Sequence, residues 1–188
     1  MTRRISNVIG FDDAPFDKHG RGSVLLVGAV YAGPRLVGVV SGKVRRDGAG
    51  ATQVMARLVS ESKFAEQIQA VLLQGIAVAG FNVVDIHGLH AALGLPVIVV
   101  ARHAPDMVAI RQALETRVRG GSRKWRLIEK AGAMEDAAGL YVQRAGISMA
   151  QAEELVRRFA INGKIPEPLR TAHLIAGGVG GGHSRGRT

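Results

Sequence analysis

The chain has 188 residues, of which 47% are hydrophobic and none is cysteine; this is the size and composition of one globular domain with a sizeable core. The absence of cysteine excludes a disulfide scaffold, a thiolate metal site and a cysteine nucleophile. A formal net charge of +10 on such a body indicates a polyanionic partner, and nucleic acid is favoured over a membrane surface. Two aspartates interrupt the N-terminal region where a signal peptide needs an apolar run, so we expect a soluble, cytoplasmic protein.

Three β-strands are predicted to come first. Residues 5–11 form an apolar run that ends at Asp12 and Asp13. Residues 23–31 and 35–46 are two β-rich runs joined by the short link Ala-Gly-Pro, which is typical of a hairpin. The second and third strands are therefore predicted to be antiparallel.

Helices and strands are predicted to alternate after the hairpin. The spacing of apolar residues over 52–67 predicts a helix. The apolar run 70–80 predicts a central parallel strand covered on both faces. Residues 82–95 are predicted to be helical up to the following proline, and residues 96–102 to form another buried strand.

The C-terminal third is predicted to contain three further helices and one strand. The first helix covers 105–119, and a strand at 139–146 separates it from the second. Ser148 precedes that second helix, and its hydroxyl is placed to accept an N-terminal amide proton. Pro166 starts a last, short helix.

This order of elements predicts an α/β fold with a mixed β-sheet flanked by helices, in which the first three strands are antiparallel and the later strands parallel. We expect one domain over residues 1–176. Residues 177–188 are rich in glycine and include Arg185 and Arg187. They are predicted to form a flexible basic tail.

Carboxylates end two predicted strands and open one predicted helix. Asp12 and Asp13 follow the first strand, Asp47 follows the third, and Asp85 starts the helix after the fourth. Open α/β sheets bind ligands outside the carboxyl ends of their strands, and carboxylates brought together there would hold Mg²⁺. A turn or a helix N-cap is the alternative for each aspartate.

Other common sites are disfavoured by the spacing of their residues. No histidine, His173 included, has a partner at the spacing of a zinc-binding motif, and the glycine clusters lack the P-loop pattern. No serine lies in a nucleophile elbow.

A basic stretch is predicted to contact nucleic acid through phosphates. Its cations are Arg117, Arg119, Arg123, Lys124, Arg126 and Lys130. Gly120 and Gly121 are expected to make it a mobile loop, and Trp125 to stack on an exposed base. The alternatives are a solvated face for the cations and a core position for the indole.

Several segments together resemble an archaeal protein family that is similar to endonuclease V. They are VIGFDDAPF, GIAVAGFNVVDI, GLPVIVVAR, AGISMAQAEELVRRF and KIPEPLRTAH, and they cover most of residues 5–176. The resemblance implies a ribonuclease-H-like fold and dependence on Mg²⁺ or Mn²⁺. It also implies cleavage of a phosphodiester near a deaminated base, uracil or hypoxanthine, in a DNA-repair type of role.

The resemblance also assigns roles to residues of this chain. Asp12 would be the primary metal ligand, and Asp47 falls where endonuclease V has a glutamate. Gln74 stands where endonuclease V has an aspartate, and Arg102 stands in the position of a lysine. Because glutamine is a weaker Mg²⁺ ligand than a carboxylate, Asp13 or Asp85 is the candidate that compensates.

Three functions remain open at this point. The first is a metal-dependent endonuclease, acting on DNA in preference to RNA. The second is a nucleic-acid-binding protein of the same fold that has lost cleavage, which the glutamine favours. The third is an interaction protein of a larger ribonucleoprotein. The sequence leaves a monomer and a homodimer equally open.

Overall fold

The computed structural model describes residues 4–17 and 22–184. Its strands are β1 (Asn7–Asp13), β2 (Ser23–Ala32), β3 (Arg35–Arg45), β4 (Ala70–Gln74), β5 (Ala77–Val78), β6 (Asn82–Val83), β7 (Val97–Ala101), β8 (Glu135–Ala137) and β9 (Leu140–Ala145). Its helices are α1 (Ala51–Ser60), α2 (Ile86–Leu93), α3 (Met107–Arg117), α4 (Gly121–Ala131), α5 (Met149–Phe159) and α6 (Glu167–Gly181).

Seven strands form one mixed sheet in the order β3-β2-β1-β4-β7-β9-β8, and β5 pairs with β6 in a small hairpin. β1, β2 and β3 are antiparallel neighbours, while β4 pairs in parallel with both β1 and β7. The predicted α/β class with an antiparallel first part is therefore confirmed.

The later strands are not all parallel, which differs from the sequence expectation. β9 runs antiparallel to β7 and to β8. A tight turn at Ala138 and Gly139, both with positive φ, joins β8 to β9, whereas a parallel pair needs a long crossover. The sequence pattern did not predict β8, which has only three residues.

Helices cover both faces of the sheet. Along β1, Ile9 and Phe11 enter the cluster with α1 and α2, while Val8 enters the cluster with α5 and α6. Successive side chains of a strand point to opposite faces. Asp12 therefore lies on the α6 face, and Asp13 lies on the α1 face.

Helix α6 lies very close to β1. A Cβ atom on Gly10 would be 2.5 Å from the carbonyl carbon of Pro168 and 2.7 Å from the nitrogen of Leu169. Only glycine allows the two backbones to approach this closely. This contact fixes the position of the first turns of α6 over the end of β1.

The helix continues further than the sequence indicated. Residues 177–181 belong to α6, and Gly177 is buried against the core, so these five residues are helical, unlike the flexible tail expected from residue 177. Glycine disfavours an isolated helix, but packing on β1 and β2 outweighs that preference here. Arg185 and Arg187 lie outside the described residues.

Other segments also differ from the sequence expectation. Residues 82–83, predicted to be helical, form β6, and α2 begins only at Ile86. The first helix ends at Ser60, because Phe64 turns inward and its ring lies beneath Gly38. The apolar run 70–80 breaks after Gln74, where Gly75 has a φ of 77°. Residues 121–131 form α4 in place of a mobile loop, since Ile128 packs against Leu114 of α3. Ser148 caps α5 as predicted.

In the part of the chain that the structure describes, no helix is long and apolar enough to cross a membrane.

The close approach at Gly10 predicts a large cost for Gly10→Ala. We expect a loss of about 3 kcal/mol in the free energy of unfolding, because the new methyl meets backbone atoms that have no space to move. Gly178→Ala is the matched control: it lies in α6 with open space around it, and alanine there should add about 0.5–1 kcal/mol. Urea denaturation of both variants measures the difference. Equal effects would contradict the close packing.

Candidate active site

Asp12 and Gln74 lie side by side where two parallel strands end. Phe11 pairs with Leu73 in the register of β1 and β4, so the next residues of both strands are neighbours on the α6 face. Gln74 in turn pairs with Val100 of β7. Arg102 follows the end of β7 and is exposed. The structure thus brings three of the residues suggested by the resemblance to one edge of the sheet.

His173 of α6 is bound directly to Asp12. Its Nδ1 is 2.8 Å from Oδ2 of Asp12, across 161 residues of sequence. The imidazole is 25% exposed, while the carboxylate is 8% exposed. Motif spacing missed this histidine, because its partner comes from the packing of α6 on β1. The one available signal was Gly10, which marks where that helix rests.

Two adjacent carboxylates, the buried Asp12 and the partly buried Asp13, make the site electrostatically unfavourable. Burial, and then the neighbouring Asp13, raise the pKa of Asp12 to about 6, against hydrogen bonds from His173 and the Asp13 amide. Burial also raises the pKa of Asp13, although the Ala79 amide donates to Asp13 Oδ2 at 3.1 Å. A group that neutralises Asp12 therefore gains from binding here.

Gln74 offers an oxygen ligand beside Asp12. Its Oε1 is buried and has no hydrogen-bond partner within the described residues, which is unusual for a buried polar atom. Mg²⁺ is commonly held by one or two protein oxygens, with water and substrate phosphate completing its shell. Asp12 and Gln74 fit that pattern.

The other predicted ligands are held elsewhere. The carboxylate of Asp47 accepts from the Phe81 amide and pairs with Arg46. Asp85 caps α2 through Gly88 and forms an ion pair with Lys130 at 3.1 Å. Burial raises the pKa of Asp85, but the Gly88 amide and Lys130 outweigh it, so the net shift is downward.

The four predicted aspartates therefore do not form one metal cluster. Across residues 4–17 and 22–184, no three His, Asp or Glu side chains are grouped as metal ligands. Each of Asp47 and Asp85 takes the alternative that the sequence left open, a turn residue and an N-cap.

The basic stretch divides into exposed and buried residues. Exposed cations are Arg117, Arg119, Arg123 and Arg126, and we call these four the basic surface. Lys124 is only 5% exposed, so it is not part of that surface. Trp125 is partly buried: it packs against the α3 cluster, donates to Glu129 and lies under Arg111, which is close to the core position that the sequence left open as the alternative to base stacking.

The raised pKa of Asp12 predicts that ionisation of this residue lowers the free energy of unfolding of the metal-free protein as the pH rises. Between the ordinary value of 3.8 and about 6, ionisation is harder in the folded chain than in the unfolded one. Protonated Asp12 therefore contributes its full share to the free energy of unfolding below pH 4. That contribution is lost as the pH rises through about 6 and Asp12 ionises. We expect Asp12→Asn to gain about 3 kcal/mol relative to the wild type between pH 4 and pH 8.

Urea denaturation in a chelating buffer over this pH range measures the gain. Asp136→Asn, which removes an exposed carboxylate of β8, is the matched control. Parallel stability curves for the wild type and Asp12→Asn would contradict the assignment.

Known proteins resemble this chain over nearly its whole length. A UPF0215 protein of Deinococcus radiodurans is 61% identical over 184 residues, which cover 98% of this chain and 94% of that protein. The crystal structure of a protein of unknown function from Archaeoglobus fulgidus superposes with a TM-score of 0.85 at 34% identity, covering 91% of this chain and 96% of the other.

A more distant likeness concerns the fold. Endonuclease V of Ciona intestinalis, solved in complex with a DNA that contains an inosine followed by a ribo-adenosine, superposes with a TM-score of 0.57 at 18% identity. The match covers 89% of this chain and 82% of that one. The ribonuclease-H-like fold implied by the resemblance is confirmed.

The family assignment comes from the sequence. A sequence model of the Endonuclease dU family matches residues 4–180, a range that includes Asp12, Gln74, Arg102 and His173. The chain belongs to the Endonuclease dU family.

Proposed function

We propose that the protein is a metal-dependent endonuclease that hydrolyses a phosphodiester near a deaminated base, uracil or hypoxanthine, in DNA. The observation that carries this proposal is the buried Asp12–His173 pair beside the unpartnered oxygen of Gln74. The family name supports the reaction, and the inosine in the DNA bound to the Ciona endonuclease V supports the class of base.

Asp12 and Gln74 would hold Mg²⁺, or Mn²⁺ in its place, through one carboxylate and one amide oxygen. When bound, the ion supplies activation of water and neutralisation of charge at the phosphate. The negative charge of the buried Asp12 favours a cation, and the neutral Gln74 adds a ligand without adding repulsion.

His173 is the proton-transfer group of this proposal. A neutral imidazole that donates its Nδ1–H to Asp12 carries its lone pair on Nε2. No partner for Nε2 is found among the described residues. Nε2 is then able to take a proton from the attacking water, while Asp12 holds the ring in place, as carboxylates do in other acid–base pairs.

Arg102 and the basic surface bind the nucleic acid. Arg102 is exposed one residue beyond the end of β7, next to Gln74 in the sheet order. Its planar guanidinium suits bidentate contact with the scissile phosphate. The basic surface would contact phosphates further along the strand.

A nucleic-acid-binding protein that has lost cleavage is the second candidate. One observation favours it: the second strand-end position of the site holds neutral Gln74, and no group of three Asp, Glu or His side chains that could hold a metal ion occurs among the described residues. A single carboxylate binds Mg²⁺ less tightly than two do.

Cleavage assays with Asp12→Asn distinguish the two candidates. Labelled DNA and RNA oligonucleotides that carry uracil or hypoxanthine are incubated with Mg²⁺ or Mn²⁺. We expect cleavage of DNA near the modified base, lowered at least about 100-fold by Asp12→Asn, because the variant removes the only carboxylate that we assign to the ion. Asp136→Asn should cleave as the wild type does. Binding without cleavage by the wild type would establish the second candidate.

Salt dependence tests the basic surface. Each arginine that contacts a phosphate contributes about 1 to the slope of log affinity against log salt. We expect the double variant Arg123→Gln and Arg126→Gln to reduce the slope by about 2. Arg157→Gln, on α5 and paired with Glu153, is the matched control and should leave the slope unchanged. Fluorescence anisotropy at several salt concentrations measures it, and a flat wild-type dependence would count against phosphate contact.

A further inference from the structure

Lys124 is a cation that α4 directs into the protein. The adjacent Arg123 is exposed, whereas Lys124 is 5% exposed. Its Nζ donates a hydrogen bond of 2.5 Å to the main-chain oxygen of Asp47, which follows β3. A buried ammonium is unfavourable unless it is well paired. This contact is therefore a specific link between α4 and the loop after β3.

Asp47 is itself held in an uncommon conformation. Its φ is 49°, in the left-handed region, and Ala79 in the β5–β6 hairpin has a φ of 50°. Non-glycine residues persist there only where several contacts hold them. The Asp47 amide donates to the Ala79 oxygen at 2.9 Å, and Asp47 Oδ1 accepts from the Phe81 amide at 2.8 Å. Asp47 thus holds the β5–β6 hairpin in place by hydrogen bonds to Ala79 and Phe81, which lie between β5 and β6.

The same hairpin holds the side chain of Asp13 by a hydrogen bond. The Ala79 amide donates to Asp13 Oδ2 at 3.1 Å, and the Asp13 amide donates to Asp12 Oδ1 at 2.9 Å. Four contacts therefore lead from the ammonium of Lys124 through Asp47, Ala79 and Asp13 to the carboxylate of Asp12. We call this series the Lys124 chain.

At the end of the Lys124 chain, two adjacent carboxylates have different hydrogen-bond partners: the Ala79 amide donates to Asp13, and His173 bonds Asp12. Asp13 lies on the α1 face and is occupied by the Ala79 amide, whereas Asp12 lies on the α6 face beside Gln74. If the hairpin moved away, Asp13 would lose its hydrogen-bond donor and seek another. The Asp13 amide, which orients Asp12, would move with it.

We propose that Lys124 is a positioning residue for Asp12: through Asp47 and the β5–β6 hairpin it holds Asp13, and so fixes the orientation in which Asp12 meets a metal ion. This inference rests on the proposed function in one respect: the orientation of Asp12 matters because Asp12 is proposed to bind the metal ion. Its structural content, the coupling of α4 to the site, is independent of whether the protein cleaves.

The test compares Lys124→Met with Lys130→Met in the full chain. Methionine keeps the length of the side chain but removes the donor. Lys130 is a second lysine of α4. It forms an ion pair with Asp85, which is not part of the Lys124 chain. We expect Lys124→Met to shift the amide resonances of Ala79 and Asp13 and to weaken Mn²⁺ binding about tenfold or more, as loss of outer contacts does at metal sites. Lys130→Met should change neither.

Kinetics add a readout that a merely structural role would not move. We expect Lys124→Met to lower kcat about tenfold or more at saturating Mn²⁺ and nucleic acid while KM for the nucleic acid stays unchanged, because Lys124 lies outside the basic surface. If Lys124→Met were partly unfolded, binding and cleavage would fall by the same factor. The amide spectrum would then show resonances of unfolded protein.

Gly80→Ala tests the same chain if Lys124→Met does not fold. A Cβ atom on Gly80 would be 2.4 Å from Asp47 Oδ1, and the φ of 81° disfavours alanine. Lys124 stays in place, but Asp47 is displaced from the hairpin. We expect the same shifts at Ala79 and Asp13 and the same weakening of Mn²⁺ binding.

The outcomes separate the positioning role from the nuclease function. Unchanged Asp13 resonances and unchanged Mn²⁺ affinity in folded Lys124→Met or Gly80→Ala overturn the positioning role. Absence of cleavage by the wild type, together with these shifts and the weaker Mn²⁺ binding, supports the positioning role and overturns the nuclease function alone. Absence of Mn²⁺ binding by the wild type overturns both.

Discussion

Contact between the backbones of α6 and β1 is the constraint on which the rest of the site depends. At Gly10 no side chain separates them, and the carbonyl carbon of Pro168 lies 2.5 Å from where a Cβ atom would be. About one turn further along α6, this approach brings His173 within 2.8 Å of Asp12. Thr171 reaches Tyr31 of β2 in the same way, at 2.7 Å. The position of the helix, rather than any local motif, therefore creates the acid–histidine pair.

The site concentrates features that reduce stability. Asp12 and Asp13 are adjacent carboxylates in a region of low water access, and burial raises the pKa of both. Asp47 and Ala79 have positive φ without being glycine. Away from the site, Ser148 caps its helix with a capping box, and among the described non-glycine residues a positive φ recurs only at Ala138, in the turn between β8 and β9. Departures from local preference that lie close together, as those of Asp12, Asp13, Asp47 and Ala79 do, are typical of functional sites.

Helix α4 separates two uses of positive charge. Arg123 and Arg126 face solvent, while Lys124, between them in sequence, is buried and bonded to Asp47. The net charge of +10 counts buried cations such as Lys124 together with exposed ones. It therefore does not give the number of positive charges that a polyanion can contact. The outward arginines suit contact with phosphates, and the inward lysine acts on the shape of the loop beside the site. Burial of each side chain decides which role it has.

The sequence by itself determined the alternation of elements, the antiparallel start of the sheet, and the placement of Asp12 at the end of the first strand, because period and turn residues encode local burial and direction. Gln74 was compared with a strand-end residue only through the resemblance, since the run 70–80 was predicted as one continuous strand. Only the tertiary structure decided that His173 pairs with Asp12 and that Lys124 points inward. Asp47 was predicted to follow a strand and Asp85 to start a helix, each with a turn or an N-cap as the alternative to metal binding. The structure assigns Asp85 to an N-cap and Asp47 to a turn. The physical reason is that periodicity reports which face of an element is buried, whereas a contact across 161 residues depends on how two elements pack.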